Sequence, residues 1–222
     1  MVATLVVLGA ACGSSSPSAS SQPQALLAQA KAALDGTQAF HFTLTTAGLP
    51  RDAGTTVVGG QGDLMRPDKL VGSFAVSAGG LPVTVRVAAG GGRFFAQLPF
   101  ASGFTATDPE SFGVANPAQL ISPNGGLSSI LRATQQATSA GQARVQGEVL
   151  DVVSGSVPGT AITVVPDKDP SRPVAIKAFI SPSSHQLRQL VLIGPIESTA
   201  STTFTVTLTG YGQHVNLALP SP

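Results

Sequence analysis

Apolar and polar positions along the chain follow two rhythms. Between Pro23 and Gly36 the stretch "ALLAQAKAAL" places Leu26, Leu27, Ala30, Ala33 and Leu34 at helical spacing. Ser21 and Gln24 form a weak capping box before it, and Gly36 is placed to end it, so one amphipathic helix of about three turns is predicted. From Ala39 the period drops to two: Phe40, Phe42 and Leu44 alternate with His41, Thr43 and Thr45, as in a strand covered on one face. Further strands are predicted at Thr55–Met65, Lys69–Ser77, Leu81–Ala88 and Arg93–Gln97, separated by Gly and Pro, which describes an antiparallel meander. The middle segment "NPAQLISPNGGLSSILRATQQA" breaks the alternation. With Asn124 as N-cap, Leu127, Ile130, Leu131 and Thr134 share a helical face. Strands resume at Ala143–Val153, Ala161–Val165, Val174–Ser181, Gln186–Ile193, Thr203–Thr209 and His214–Leu219.

The predicted fold class is α+β, mostly β: an antiparallel sheet of about ten or eleven strands with two or three helices and no βαβ repeat. A sheet that long curls, because flat open sheets past about ten strands are rare. Its concave face needs a cover, and the helices are the obvious one. The inward-facing candidates are Phe40, Phe42 and Leu44; Leu70, Phe74 and Val76; Val83, Val85 and Val87; and Phe95. Leu127, Ile130 and Leu131 face them from the middle helix. Each could be ordinary core or the wall of an apolar cavity, and alternation by itself does not separate the two.

The amino terminus belongs to neither rhythm. Val2–Ala11 is an apolar run that would span about 15 Å as a helix, half of a hydrocarbon core, and so reads as a signal-peptide h-region. Cys12, the single cysteine, follows it and precedes "GSSSPSASSQPQ", a composition that behaves as a flexible tether. One cysteine forms no internal disulfide, which leaves a buried, a reactive or a modified thiol. The small residues Gly9, Ala10 and Ala11 before Cys12 resemble the lipobox of bacterial lipoproteins, where the thiol is acylated and becomes the first mature residue. Leu8 stands one position further upstream than in that pattern. No Lys or Arg precedes Lys31, so a later start codon than the native one is expected. The plainer alternative is a secreted protein cleaved near Ala11 with a free thiol. The organisation expected is a signal peptide at 1–11, lipidated Cys12 and tether at 12–22, and one domain over 23–222.

Charge narrows the partners. Only 10% of residues are charged and the net charge is +1, against about 25% charged in typical soluble domains. No basic cluster exists to displace counterions from phosphate, so nucleic acid is not an expected partner.

The middle segment "NPAQLISPNGGLSSIL", the hairpin "AFISPSSHQLRQLVLIG" and the closing "FTVTLTGYGQHVNLALP" resemble, in order, parts of the mycobacterial-type lipoprotein family that includes LppX, LprA, LprF and LprG. The resemblance covers nearly the whole mature chain. Family members often carry Asp where this chain has Ser122 before Pro123, and Trp where it has Tyr211. The family is similar to the carriers LolA and LolB, so the resemblance implies a half-barrel with helices in its concavity around a hydrophobic cavity. It implies a cargo of acylated lipid or lipoglycan carried across the envelope, and an exported protein anchored by lipid to the cell membrane, facing the periplasm-like space or cell wall. A monomer without a cofactor is expected, and whether a membrane lipid exporter is a partner is left open by the sequence.

Catalytic signatures are weak. No G-x-S-x-G elbow occurs, and "GSVPG" has its serine misplaced. His41, His185 and His214 are far apart in sequence and read as solvated surface residues. Asp52, Asp63, Asp68, Asp108, Asp167 and Asp169 read as turn residues, with no acid/base couple, no metal set and no phosphate-binding glycine pattern among them. A lipid carrier, a structural lipoprotein with a filled interior, and a hydrolase remain as hypotheses in that order.

Overall fold

A computed structural model describes residues 21–49, 55–78, 80–112, 116–122, 125–163, 171–196 and 200–220. Helix α1 spans Ser21–Asp35, beginning inside the stretch expected as tether. Leu27, Ala30 and Leu34 are its fully buried stripe, the i, i+3, i+7 spacing of one helix face. Five strands follow: β1 (Ala39–Ala47), β2 (Thr56–Met65), β3 (Lys69–Ala78), β4 (Leu81–Gly90) and β5 (Arg93–Gln97). Their bounds agree with the alternation within a residue or two.

A two-residue β6 (Thr105–Ala106) leads through short 3-10 helices at Pro109–Phe112 and Pro117–Ile121 into helix α2 (Gly126–Ala133). Asn124 lies outside the described residues, and the N-cap of α2 is Gly125, with no side-chain cap bond. Thr134 is the C-cap, its hydroxyl donating to the carbonyl of Ile130 at 2.9 Å.

The second half differs from expectation in three places. The single strand expected at Ala143–Val153 is a hairpin of β7 (Gln135–Val145) and β8 (Glu148–Pro158), turning at Gln146 and Gly147, both at positive φ. Because β7 is an edge strand with mostly exposed residues, nothing in its pattern demanded apolar alternation. The strand expected at Ala161–Val165 starts instead with a 3-10 turn, Gly159–Ala161, after Pro158, and its last residues lie outside those described. His214–Leu219 passes as irregular chain. The rest forms β9 (Pro173–Ile180), β10 (Leu187–Gly194) and β11 (Thr202–Thr209).

Among the described residues eleven strands make one sheet in the order β6-β5-β4-β3-β2-β1-β11-β10-β9-β8-β7, with every pair antiparallel. Two meanders are thus sewn together where β1 pairs with β11, Phe42 opposite Leu208 and Leu44 opposite Val206. The sheet curls into a half-barrel, and the helices fill its concavity. Helix α1 packs on α2 and on β7, β9 and β10, while Pro117–Ile121 packs on α2 and on β2, β3 and β4.

A polar clasp fixes that cover. Arg66, only 10% exposed, donates from Nε to the Thr37 carbonyl at 2.9 Å, from one Nη to Leu34 at 3.0 Å, and from the other to Ile121. It therefore satisfies carbonyls at the end of α1 and of the 3-10 helix together. Burial lowers its pKa from the ordinary guanidinium value, and Asp35 opposes that. Asp35 also accepts from Ser128 on α2, tying the two helices.

Candidate functional site

Inside the half-barrel the inward columns of the strands bound an apolar cavity. Its walls are Phe42 and Leu44 of β1, Val57 of β2, Phe74 and Val76 of β3, Val85 and Val87 of β4, and Phe94 of β5. Leu192 of β10 and Phe204 and Val206 of β11 close the opposite side. Phe112, Pro117, Leu120, Leu127 and Ile130 cover it. The free space at its centre is about 80 Å³, and about 890 Å³ when the crevices between side chains and the open mouth are counted. Among the described residues no charged side chain lines it.

Glycines on the inner face make this lining possible. A Cβ on Gly60 would lie 2.5 Å from the ring of Phe74, and one on Gly62 would lie 3.1 Å from the ring of Phe42. Both rings therefore lie flat against the sheet, 5.8 Å apart and tilted by 34°, and leave the centre of the concavity open. A side chain on Gly60 would push the Phe74 ring into that space, and one on Gly62 would meet the Val71 carbonyl oxygen at 2.5 Å before reaching Phe42.

The structure brings together Phe42, Leu44, Phe74, Val76, Val85, Val87, Leu127 and Ile130 of the expected set. Phe40, Leu70 and Leu131 are buried in the same core but do not line the cavity, and Val83 is half-buried beside it. Phe95 is corrected: the pairs Ala89–Phe94 and Val87–Ala96 put Phe94 inside and turn Phe95 to the other face, under the guanidinium of Arg93 at 5.5 Å. In a Phe-Phe pair alternation does not say which ring points in; cross-strand register does. Leu192, Phe204 and Val206 were missed although their strands alternate cleanly, because nothing local announces that β11 lies beside β1. Cys12 lies outside the described residues.

The polar candidates sit elsewhere. His41 and Asp63 pair at 2.9 Å across β1 and β2, on the face opposite Phe40 and Phe42, so Asp63 is a mid-strand residue and not a turn residue. His214 borders an open polar hollow of about 480 Å³ at the other ends of the strands, with Gln38, Arg66, Gln186 and Tyr211. Tyr211 stacks on Phe40 at 5.7 Å and donates its hydroxyl to the Leu187 carbonyl; burial raises its pKa above the ordinary phenol value. Among the described residues no three His, Cys, Asp or Glu side chains gather as a metal set.

The sequence profile of the LppX_LprAFG lipoprotein matches residues 22–217. The chain belongs to the LppX_LprAFG lipoprotein family. It is similar to the lipoarabinomannan carrier protein LprG of Mycobacterium tuberculosis, with 26% identity over 99% of this chain and 91% of that protein. LprG of Mycolicibacterium smegmatis is 27% identical over 100% of this chain and 94% of that protein. The crystal structure of LprF from Mycobacterium bovis superposes with a TM-score of 0.75 at 17% identity, covering 91% of this chain and 99% of that one. LppX of Mycobacterium tuberculosis superposes with a TM-score of 0.64 at 15% identity, covering 88% and 98%. The half-barrel with helices in its concavity is the fold of this lipoprotein family. Among the described residues no helix is long and apolar enough to cross a membrane.

Proposed function

We propose that this protein is an exported lipoprotein, anchored through Cys12, that takes the acyl chains of a lipid or lipoglycan into its cavity and carries them across the periplasm-like space. Residues 12–20 would serve as tether and the folded body as one lipid-binding domain. The observation that carries the reading is a partly open cavity with purely apolar walls in the concavity of the sheet. Such a cavity suits hydrocarbon: each methylene moved into it from water contributes about 0.8 kcal/mol. The relatives named as carriers of lipoarabinomannan support an acylated glycolipid as the class of cargo.

The free space of about 80 Å³ is small beside the several hundred Å³ of typical ligand pockets. It is room for no more than the end of one chain. That same observation favours the second reading, a structural lipoprotein with a filled interior. Native mass spectrometry of protein made in a related host separates them. A carrier leaves the membrane with noncovalent acyl lipid bound; protein that is always empty, even after incubation with host lipids, removes the carrier reading.

The anchor is tested separately. Cys12→Ser should move the protein from the membrane fraction to the soluble one and abolish globomycin-sensitive processing, since stable anchoring takes more than one acyl chain on the thiol-bearing residue. Unchanged fractionation and mass in the variant would remove the lipoprotein anchor from this position.

A further inference from the structure

We propose that an exposed apolar lip formed by Leu81, Leu98 and Phe100 is the surface with which this protein rests on an anionic lipid bilayer. The lip continues the cavity walls. Along β4 the inward column runs from Val87 and Val85, 4% and 2% exposed, through half-buried Val83 to Leu81 at 70%. Along β5 it runs through Phe94 and Ala96, 6% and 5% exposed, and Leu98 just past the strand end is 52% exposed. Phe100 follows at 108%, a fully exposed ring. Two neighbouring columns thus carry apolar side chains without interruption from the candidate acyl site into solvent, at the strand ends nearest the cavity.

The turn beyond β5 holds this arrangement. Ala101 N–H donates to the Leu98 carbonyl at 3.1 Å, and Gln97 Nε2 donates to the Ala101 carbonyl at 3.0 Å. Phe100 sits at φ +66°, a left-handed backbone that a bulky residue adopts only when its surroundings impose it. Its ring is fully exposed.

Charge and backbone chemistry select a lipid surface as the occupant. Among the described residues Arg86 of β4, opposite Gln97, is the cation at this end of β4 and β5, whereas Lys69 and Arg93 stand at the opposite strand ends. Arg86 donates to Gln97 Oε1 at 3.0 Å and lies 5.5 Å from the centre of the Phe104 ring, which puts a cation beside the lip. Positive charge next to exposed Leu and Phe matches an anionic headgroup layer over hydrocarbon. Pro82 and Pro99 stand next to Leu81 and Leu98 and remove two backbone donors that a nonpolar layer would leave unsatisfied. The inference rests on the carrier reading only for what travels across the lip, not for the docking.

The chain contains no Trp, so Phe100→Trp in the full-length protein has a single emitting indole at the lip. Val149→Trp, on β8 near the far edge of the sheet, is the reference. Vesicles of equal parts phosphatidylcholine and phosphatidylglycerol should shift the emission of Phe100→Trp to the blue, and lipids brominated in their acyl chains should quench it. The reference should show neither response. Leu98→Trp serves as a second reporter, and adding Arg86→Gln to Phe100→Trp should raise the anionic lipid needed for half the shift about fivefold. Unmoved emission at both lip positions, or an equal response at Val149→Trp, overturns the docking surface. A shifted lip on protein that never carries lipid would remove the carrier and keep the docking; a lipid-loaded protein with an unmoved lip does the reverse.

Discussion

Val85→Trp should strip the protein of acyl lipid while leaving it folded. Val85 is 2% exposed and stands in the cavity wall between Phe74 and the start of the lip. An indole in its place projects into free space and occupies the volume a chain end would take. Excluding about four methylenes removes roughly 3 kcal/mol of transfer free energy, more than a hundredfold in loading. Because the added bulk enters a void, the loss of stability should stay below about 1 kcal/mol, whereas the same change in a filled core costs about 1 to 3 kcal/mol or more. Lipid content by mass spectrometry and Tm on one variant read both quantities. A large fall in Tm, with wild-type protein that never carries lipid, would mean that the cavity is only a packing defect.

The second large effect concerns the cover. Gly126 opens α2 at φ +52°, and a Cβ there would overlap the carbonyl oxygens of Leu120 and Gln119. These carbonyls belong to the 3-10 helix that supplies Pro117 and Leu120 to the cavity. Gly126→Ala therefore meets two penalties together, a backbone conformation that L residues rarely adopt and a backbone contact that no rotamer relieves. The expected loss is about 3 kcal/mol or more, read by denaturant unfolding. Gly91→Ala, at φ +60° with nothing within 4 Å of the added atom, has only the first penalty. Equal losses in the two variants would show that the close approach of α2 to the 3-10 helix does not matter.

What could be read before any fold was known follows from the reach of each signal. Alternation is a local property of consecutive residues, so Phe40–Phe42–Leu44, Leu70–Phe74–Val76 and Val83–Val85–Val87 announced strands and their apolar faces. It failed where burial failed: β7 has one buried residue, Ala137, and so had no face to announce. It also stayed silent at Phe94 and Phe95, where two adjacent rings offer no period.

The composition and order of motifs in the sequence determined an antiparallel, mostly β chain, the strand faces around Phe42, Phe74 and Val85, and membership in its family. Only the tertiary structure decided that β1 pairs with β11, which brings Leu192, Phe204 and Val206 across from Val85 and turns two meanders into one concavity. It alone set Phe94 inward, placed Leu120 and Phe112 as cover, and left Leu81, Leu98 and Phe100 in solvent. The physical reason is range: side-chain periodicity is fixed within a few residues, while cavity and lip depend on cross-strand register, sheet curvature and the close approach at Gly126, which join residues far apart in the chain.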